Sequence, residues 1–107
     1  MHTKQTAMLG QTTEERLVDD MGRPYFLWDC DLTLEQFKQG LNDPDPSRRG
    51  YLLGKLMRQA KPEDVFQFVN LDTIRRSWSF LERHLGRSLE FWHWLLYAWE
   101  NPPDANR

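Results

Sequence analysis

The chain has a single cysteine, no long apolar run and almost no net charge, and each absence excludes a class of protein. Cys30 alone closes no intrachain disulfide and offers no CxxC pair for zinc, which fits a reducing cytoplasm. No stretch approaches the roughly 18 apolar residues of a spanning helix, and MHTKQTAMLGQTTEER lacks the apolar h-region of an export signal. The sequence therefore predicts neither a membrane span nor secretion by such a signal. A net charge of −2 is far from the basic excess of most dedicated nucleic-acid binders.

Catalytic and metal motifs are also missing, so no cofactor and no enzymatic site are expected. Asp29 and Asp31 flank Cys30 without the Gly and distal Glu of a calcium loop, and read as turn formers. His84 and His93 fall on different predicted helices and lack further ligands, so both read as helix-end or packing residues. Nothing near Cys30 would orient it with a histidine as a nucleophile.

Aromatic residues are plentiful: five Trp, three Tyr and six Phe in 107 residues, enough for one domain with a single core. Three of the tryptophans lie in SLEFWHWLLYAWE, residues 88–100. Ser88 can cap this helix, and Phe91, Trp92, Leu95, Leu96 and Trp99 share one broad face. Trp94 and Tyr97 widen the face, which predicts a buried helix at the centre of the domain or closing it.

Upstream, residues 1–22 read as a flexible arm, with a short helix after Thr12 or Thr13 that Gly22 ends. Pro24 then pushes Arg23 toward an extended form, and Tyr25, Phe26, Leu27 and Trp28 are expected to wedge across the core with Phe26 and Trp28 as anchors. Thr33 with Gln36 has the form of a capping box, so a helix begins at Leu34 and stops at Asn42-Asp43-Pro44-Asp45-Pro46.

Ser47 can cap a helix to about Ala60, with Leu52, Leu53, Leu56 and Met57 on its apolar face and Lys55 among the residues turned away. Gly50 and Gly54 leave a smooth strip where another element can approach closely. Pro62 restarts a helix through Val69, and Asn70 or Asp72 caps one through His84. There Ile74, Trp78, Leu81 and Leu85 keep helical spacing, and Gly86 suits the C-terminal stop. The fold class predicted is all-α: a compact bundle of about five helices arranged as hairpins, loosely HEAT-like, with the extended aromatic segment packed on it. Residues 23–100 form the domain and 101–107 a disordered tail.

Charge is uneven along the chain. Residues 1–45 hold nine acids against four bases, and residues 46–107 ten bases against seven acids. Arg48, Arg49 and Arg58 decorate one predicted helix, and Arg75, Arg76, Arg83 and Arg87 decorate the next long one and its end. The plain reading is solvated faces of amphipathic helices. The functional reading is a merged patch for an acidic protein surface or for phosphate, with Tyr25 and Trp28 as aromatic contacts.

The segments RPYFLWDCDLT, YLLGKLMRQAKPEDVFQFV and GRSLEFWHWLLYAW together resemble a family of small prokaryotic helical proteins over residues 23–100. The matching positions are Pro24, Phe26, Trp28, Asp29, Leu52, Leu53, Glu63, Asp64, Val65, Phe66, Phe91, Trp92, Leu95 and Leu96. Genes of that family often lie beside those of abortive-infection type nucleotidyltransferase toxins. The resemblance thus implies an antitoxin-like, non-enzymatic cytoplasmic protein that binds such an enzyme. The alternative is a small nucleic-acid-binding regulator using the same arginines, and a homodimer through surface aromatics is compatible with either.

Overall fold

A computed structural model describes residues 10–102, and the expectations for residues 1–9 and 103–107 lie outside it. Among the described residues the chain is helical and forms no strand, with one isolated antiparallel bridge between Val18 and Pro24. Seven α-helices follow in order: α1 Glu14–Leu17, α2 Leu34–Leu41, α3 Pro46–Gln59, α4 Pro62–Val65, α5 Leu71–Arg76, α6 Trp78–Leu81 and α7 Leu89–Glu100. Short 3₁₀ turns occupy Tyr25–Leu27, Glu82–His84 and Gly86–Ser88.

The organising element is α3, not α7. Half of α3 is buried, from Gly50 through Leu52, Leu53, Gly54, Lys55, Leu56 and Met57, and α2, α4, α6 and all three 3₁₀ turns pack on it. Asp45 caps it through Ser47 N–H, with Pro46 in the first turn where its missing N–H costs nothing. The two glycines act as the sequence suggests. A Cβ on Gly50 would run into the Phe80 carbonyl and lie 2.6 Å from the Phe80 Cβ, and one on Gly54 would lie 2.6 Å from the His84 Cβ. The 80–84 backbone thus rests directly on α3.

The predicted helix over 71–85 is broken at Ser77, which leaves helical geometry at φ −96° and ψ 3° while its N–H is shared between the Thr73 and Ile74 carbonyls. Its apolar spacing nevertheless identifies the core, since Ile74, Leu81 and Leu85 are fully buried. The bend at Ser77 separates α5 from the stretch that lies on the glycine strip. Gly86, at φ +55°, ends that stretch in a conformation that favours glycine. Similarly, the helix expected over 62–69 stops after Val65 and continues as turns.

Around α3 the aromatic residues divide into an inner and an outer set. Phe26, Phe37 and Phe68 meet edge to face with centroids 5.2 to 5.7 Å apart, the favoured geometry for aromatic rings. Trp92 is fully buried, and its indole N–H donates to the Met57 carbonyl at 2.9 Å. That carbonyl needs a partner at the end of α3, because the Lys61 N–H donates instead to the Tyr25 hydroxyl. Contrary to expectation, only Trp92 and Leu96 of α7 are buried, while Phe91, Trp94, Tyr97 and Trp99 stay exposed. Ser88 does not cap α7; its hydroxyl donates to the Leu85 carbonyl.

Candidate functional site

Residues 10–30 are held to the helices by a set of polar contacts. Asp64, fully buried at the start of α4, turns its carboxylate toward them. Its Oδ1 accepts from the Thr12 amide at 2.6 Å and from Gln67 Nε2 at 2.9 Å, and its Oδ2 accepts from the Thr12 and Tyr25 hydroxyls at 2.5 and 2.6 Å. Burial pushes this carboxyl up, but the hydrogen bonds from Thr12, Tyr25 and Gln67 outweigh it and hold Asp64 below the ordinary carboxylate range. The Tyr25 hydroxyl is pushed up to about 12, first by burial and then by its bond to Asp64. Through this knot the stretch before α1 is fastened to α4, and Leu17 of α1 is buried.

Lys55 is a second departure from the expected pattern. It is buried on α3 rather than turned to solvent, and its ammonium reaches Asp29 Oδ2 at 2.7 Å. Burial pulls the Lys55 ammonium down, yet hydrogen bonding to Asp29 and nearby negative groups leave it raised. Gln59 Nε2 completes the anchor by donating to the Phe26 carbonyl and to Asp29 Oδ1. The 23–29 segment is therefore a 3₁₀ turn bolted to α3 from beneath, not an extended plug.

Trp28 points away from that bolt. Phe26 and Leu27 beside it are buried, whereas Trp28 is 74% exposed, the reverse of the anchor role expected for it in the core. It borders a groove of about 330 Å³ together with Tyr25, Leu27, Cys30, Arg16 and Arg23. Asp19 shapes the rim by accepting the Met21 and Arg23 amides, and the Arg23 backbone bond is the main reason its carboxyl is lowered. The Arg23 guanidinium lies 3.4 Å from Asp19 and 3.5 Å from Asp31, while Arg16 forms no ion pair among the described residues.

The seven arginines singled out in the sequence do not share one environment. Arg75 pairs with Glu100 and Arg76 with Asp72, so those two are engaged within the chain. Arg49 is half-buried and donates to the Asp43 and Pro44 carbonyls as a brace for the loop before α3. Arg48 is exposed. Arg58 and Arg83 lie instead around His84, near the end of the 80–88 stretch. Arg58 Cδ lies 3.4 Å from where a Gly86 Cβ would stand, next to Arg87 in the chain, and Arg58, Arg83 and Lys55 all act electrostatically on His84. Burial, and then these cations, hold the His84 imidazole below its ordinary value, with Tyr51 edge-on to its ring. None of Arg58, Arg83 and Arg87 forms an ion pair among the described residues.

Arg16 and Arg23 were not singled out by the sequence as contact residues, and the aromatic face of α7 was read there first as core. The circumference of α7 carried the missing signal: a helix apolar nearly all round cannot be covered on every side by so short a chain. No group of three or more His, Cys, Asp and Glu that could hold a metal occurs among the described residues. No described helix is long and apolar enough to cross a membrane. No family model, curated protein or solved structure matches the chain.

Proposed function

We propose that the chain is a non-enzymatic protein-interaction module whose partner docks on the groove beside Trp28. The observation that carries this reading is the exposure of Trp28 next to Phe26 and Leu27, which the same turn buries. An exposed indole on a backbone already held by Gln59 and α3 loses little freedom on binding, which is what an interface anchor requires. Arg16 at the rim supplies a guanidinium suited to a carboxylate of the partner. The partner proposed is the one the family resemblance implies, a nucleotidyltransferase in the cytoplasm, with the arginine engaging acidic residues of its metal site. In this antitoxin-like role the module would occlude the enzyme's cleft. The fold is read with it as paired helices, loosely HEAT-like, and contacts of α3 with α4 and of α5 with α7 support that pairing.

Affinity capture with the tagged protein from nuclease-treated lysate of its host tests this. The expected result is stoichiometric recovery of a nucleotidyltransferase, lost with Trp28→Ala while the thermal melt is unchanged. Undiminished capture by Trp28→Ala, or no such enzyme in the eluate, overturns it.

A second reading rests on a different observation. Arg58 and Arg83, both near His84 and without carboxylate partners among the described residues, favour phosphate contacts, and so a nucleic-acid-binding regulator. Binding of DNA or RNA oligonucleotides that weakens steeply with added salt, and is lost in Arg58→Glu with Arg83→Glu, would support it. Salt-insensitive or absent binding removes it.

A further inference from the structure

The outward face of α7 is laid out so that it complements itself. At about 100° per residue, Phe91 and Ala98 fall on one side of this face, Glu90 and Tyr97 on the other, and Trp94 between the two pairs. Phe91, Trp94 and Tyr97 are 40%, 59% and 63% exposed, leaving on the order of 350 Å² of aromatic surface uncovered. That is enough for the apolar centre of a standard interface, which buries roughly 800 Å² per partner with a polar rim.

Consider two such helices facing each other antiparallel about a two-fold axis at Trp94. A two-fold perpendicular to both helices keeps each side of the face with the same side of its copy and reverses the order along the axis. The large Phe91 then lies opposite the small Ala98 of the copy, twice, and the two Trp94 side chains meet at the centre. On the other side, Glu90 lies opposite Tyr97 of the copy, again twice. This pairing resolves the one polar difficulty of the face. Neither the Glu90 carboxylate nor the Tyr97 hydroxyl makes a hydrogen bond among the described residues, and one is an acceptor only while the other is a donor. An apolar partner of unrelated sequence would bury Glu90 without that hydroxyl. A helix of this length, about 18 Å, holds both pairs and the central tryptophan within its own span.

We propose that the chain forms a two-fold dimer through α7, with a second copy covering Phe91, Trp94 and Tyr97. The surface is separate from the Trp28 groove, so dimerisation and partner binding stand or fall independently. Sedimentation equilibrium of the full chain tests it. The wild type is expected to be dimeric at about 50 μM, and Trp94→Arg to weaken association about 30-fold or more without changing the circular dichroism spectrum. Glu90→Gln and Tyr97→Phe are each expected to weaken it several-fold, and the double variant no more than either alone. A monomeric wild type at about 100 μM overturns the proposal. So does a dimer that Trp94→Arg leaves intact.

Discussion

Asp64→Ala should be the most damaging single polar substitution in the chain, and its cost follows from the donors it would strand. The carboxylate takes the Thr12 amide, the Thr12 and Tyr25 hydroxyls and the Gln67 amide, all at 2.9 Å or less. Hydrogen bonds to a charged group contribute about 1.5–3 kcal/mol each, so four give an upper bound well above the whole effect. Two of the donors have other recourse: Tyr25 is only half-buried, so its hydroxyl can donate to water, and Gln67 already donates to the Thr12 carbonyl at 3.0 Å. Thr12 is only half-buried, and water can reach it once the stretch loosens. What remains is one stranded amide, one rehydrated hydroxyl and a cavity at a fully buried position, about 3 kcal/mol in all. Urea denaturation followed by circular dichroism measures it, and in a domain of this size the melting midpoint should fall by about 10–20 °C. Asp64→Asn should cost about 1–2 kcal/mol, because its carbonyl can serve Thr12 and Gln67 while the two hydroxyls turn to accept from its amide. Hydrogen exchange adds a local readout, with the Thr12 amide losing protection in Asp64→Ala before the core does. A loss of stability below about 0.5 kcal/mol for Asp64→Ala would refute the account of this knot.

Other perturbations test the helix packing and the charges. Gly50→Ala places a methyl against the Phe80 carbonyl, so the 80–84 backbone must move; the expected cost is about 1–2 kcal/mol, seen as a lower urea midpoint, despite the better helix propensity of Ala. Gly40→Ala should cost less, since its clash is with the tip of the Leu52 side chain. Trp92→Phe leaves the Met57 carbonyl without its donor and removes buried volume, for about 2–3 kcal/mol by the same measurement. Acid should destabilise the fold through Asp29, lowered chiefly by its bond from Lys55, and through Asp64. Both folded values lie below the unfolded ones, so their contribution is complete above about pH 4 and is lost as pH falls through the folded values. A urea midpoint that stays constant down to about pH 3 would contradict this.

The parts of this fold legible in the sequence were those set by local chemistry. The Thr33 and Gln36 capping box, the Asn70 cap and the Gly86 terminus all form as their residues suggest. Apolar spacing also identified buried residues correctly on α3 and over 74–85, where the pattern reads the core even across the break at Ser77. What spacing could not read was which side of an aromatic segment another element would cover. Phe26 and Trp28 stand two residues apart in one run, yet Gln59 and α3 hold the turn so that one is buried and the other exposed. The same ambiguity inverted the role of α7, whose richness in tryptophan suggested a centre. The space at the centre had already been assigned by the two glycines of α3, a signal of small residues rather than large ones.

That contrast gives the molecule its division of labour. Where a tryptophan has a designated polar partner inside, as Trp92 has in the Met57 carbonyl, it serves the core. No described group bonds the indoles of Trp28 and Trp94, and both rings stand on surfaces whose backbones are fixed from the other side. An indole left mostly exposed on a rigid base adds less to the folding of the isolated chain than a buried one. It does supply a large contact at small entropic cost once another surface meets it. Trp28 and Trp94 lie on different elements, the 3₁₀ turn at α3 and the outer side of α7, so one chain presents two independent contacts of this kind. If both are used, a dimer joined at α7 would carry two Trp28 grooves. Its avidity for a partner that is itself dimeric should then exceed that of the Trp94→Arg monomer, with the affinity of each single groove unchanged.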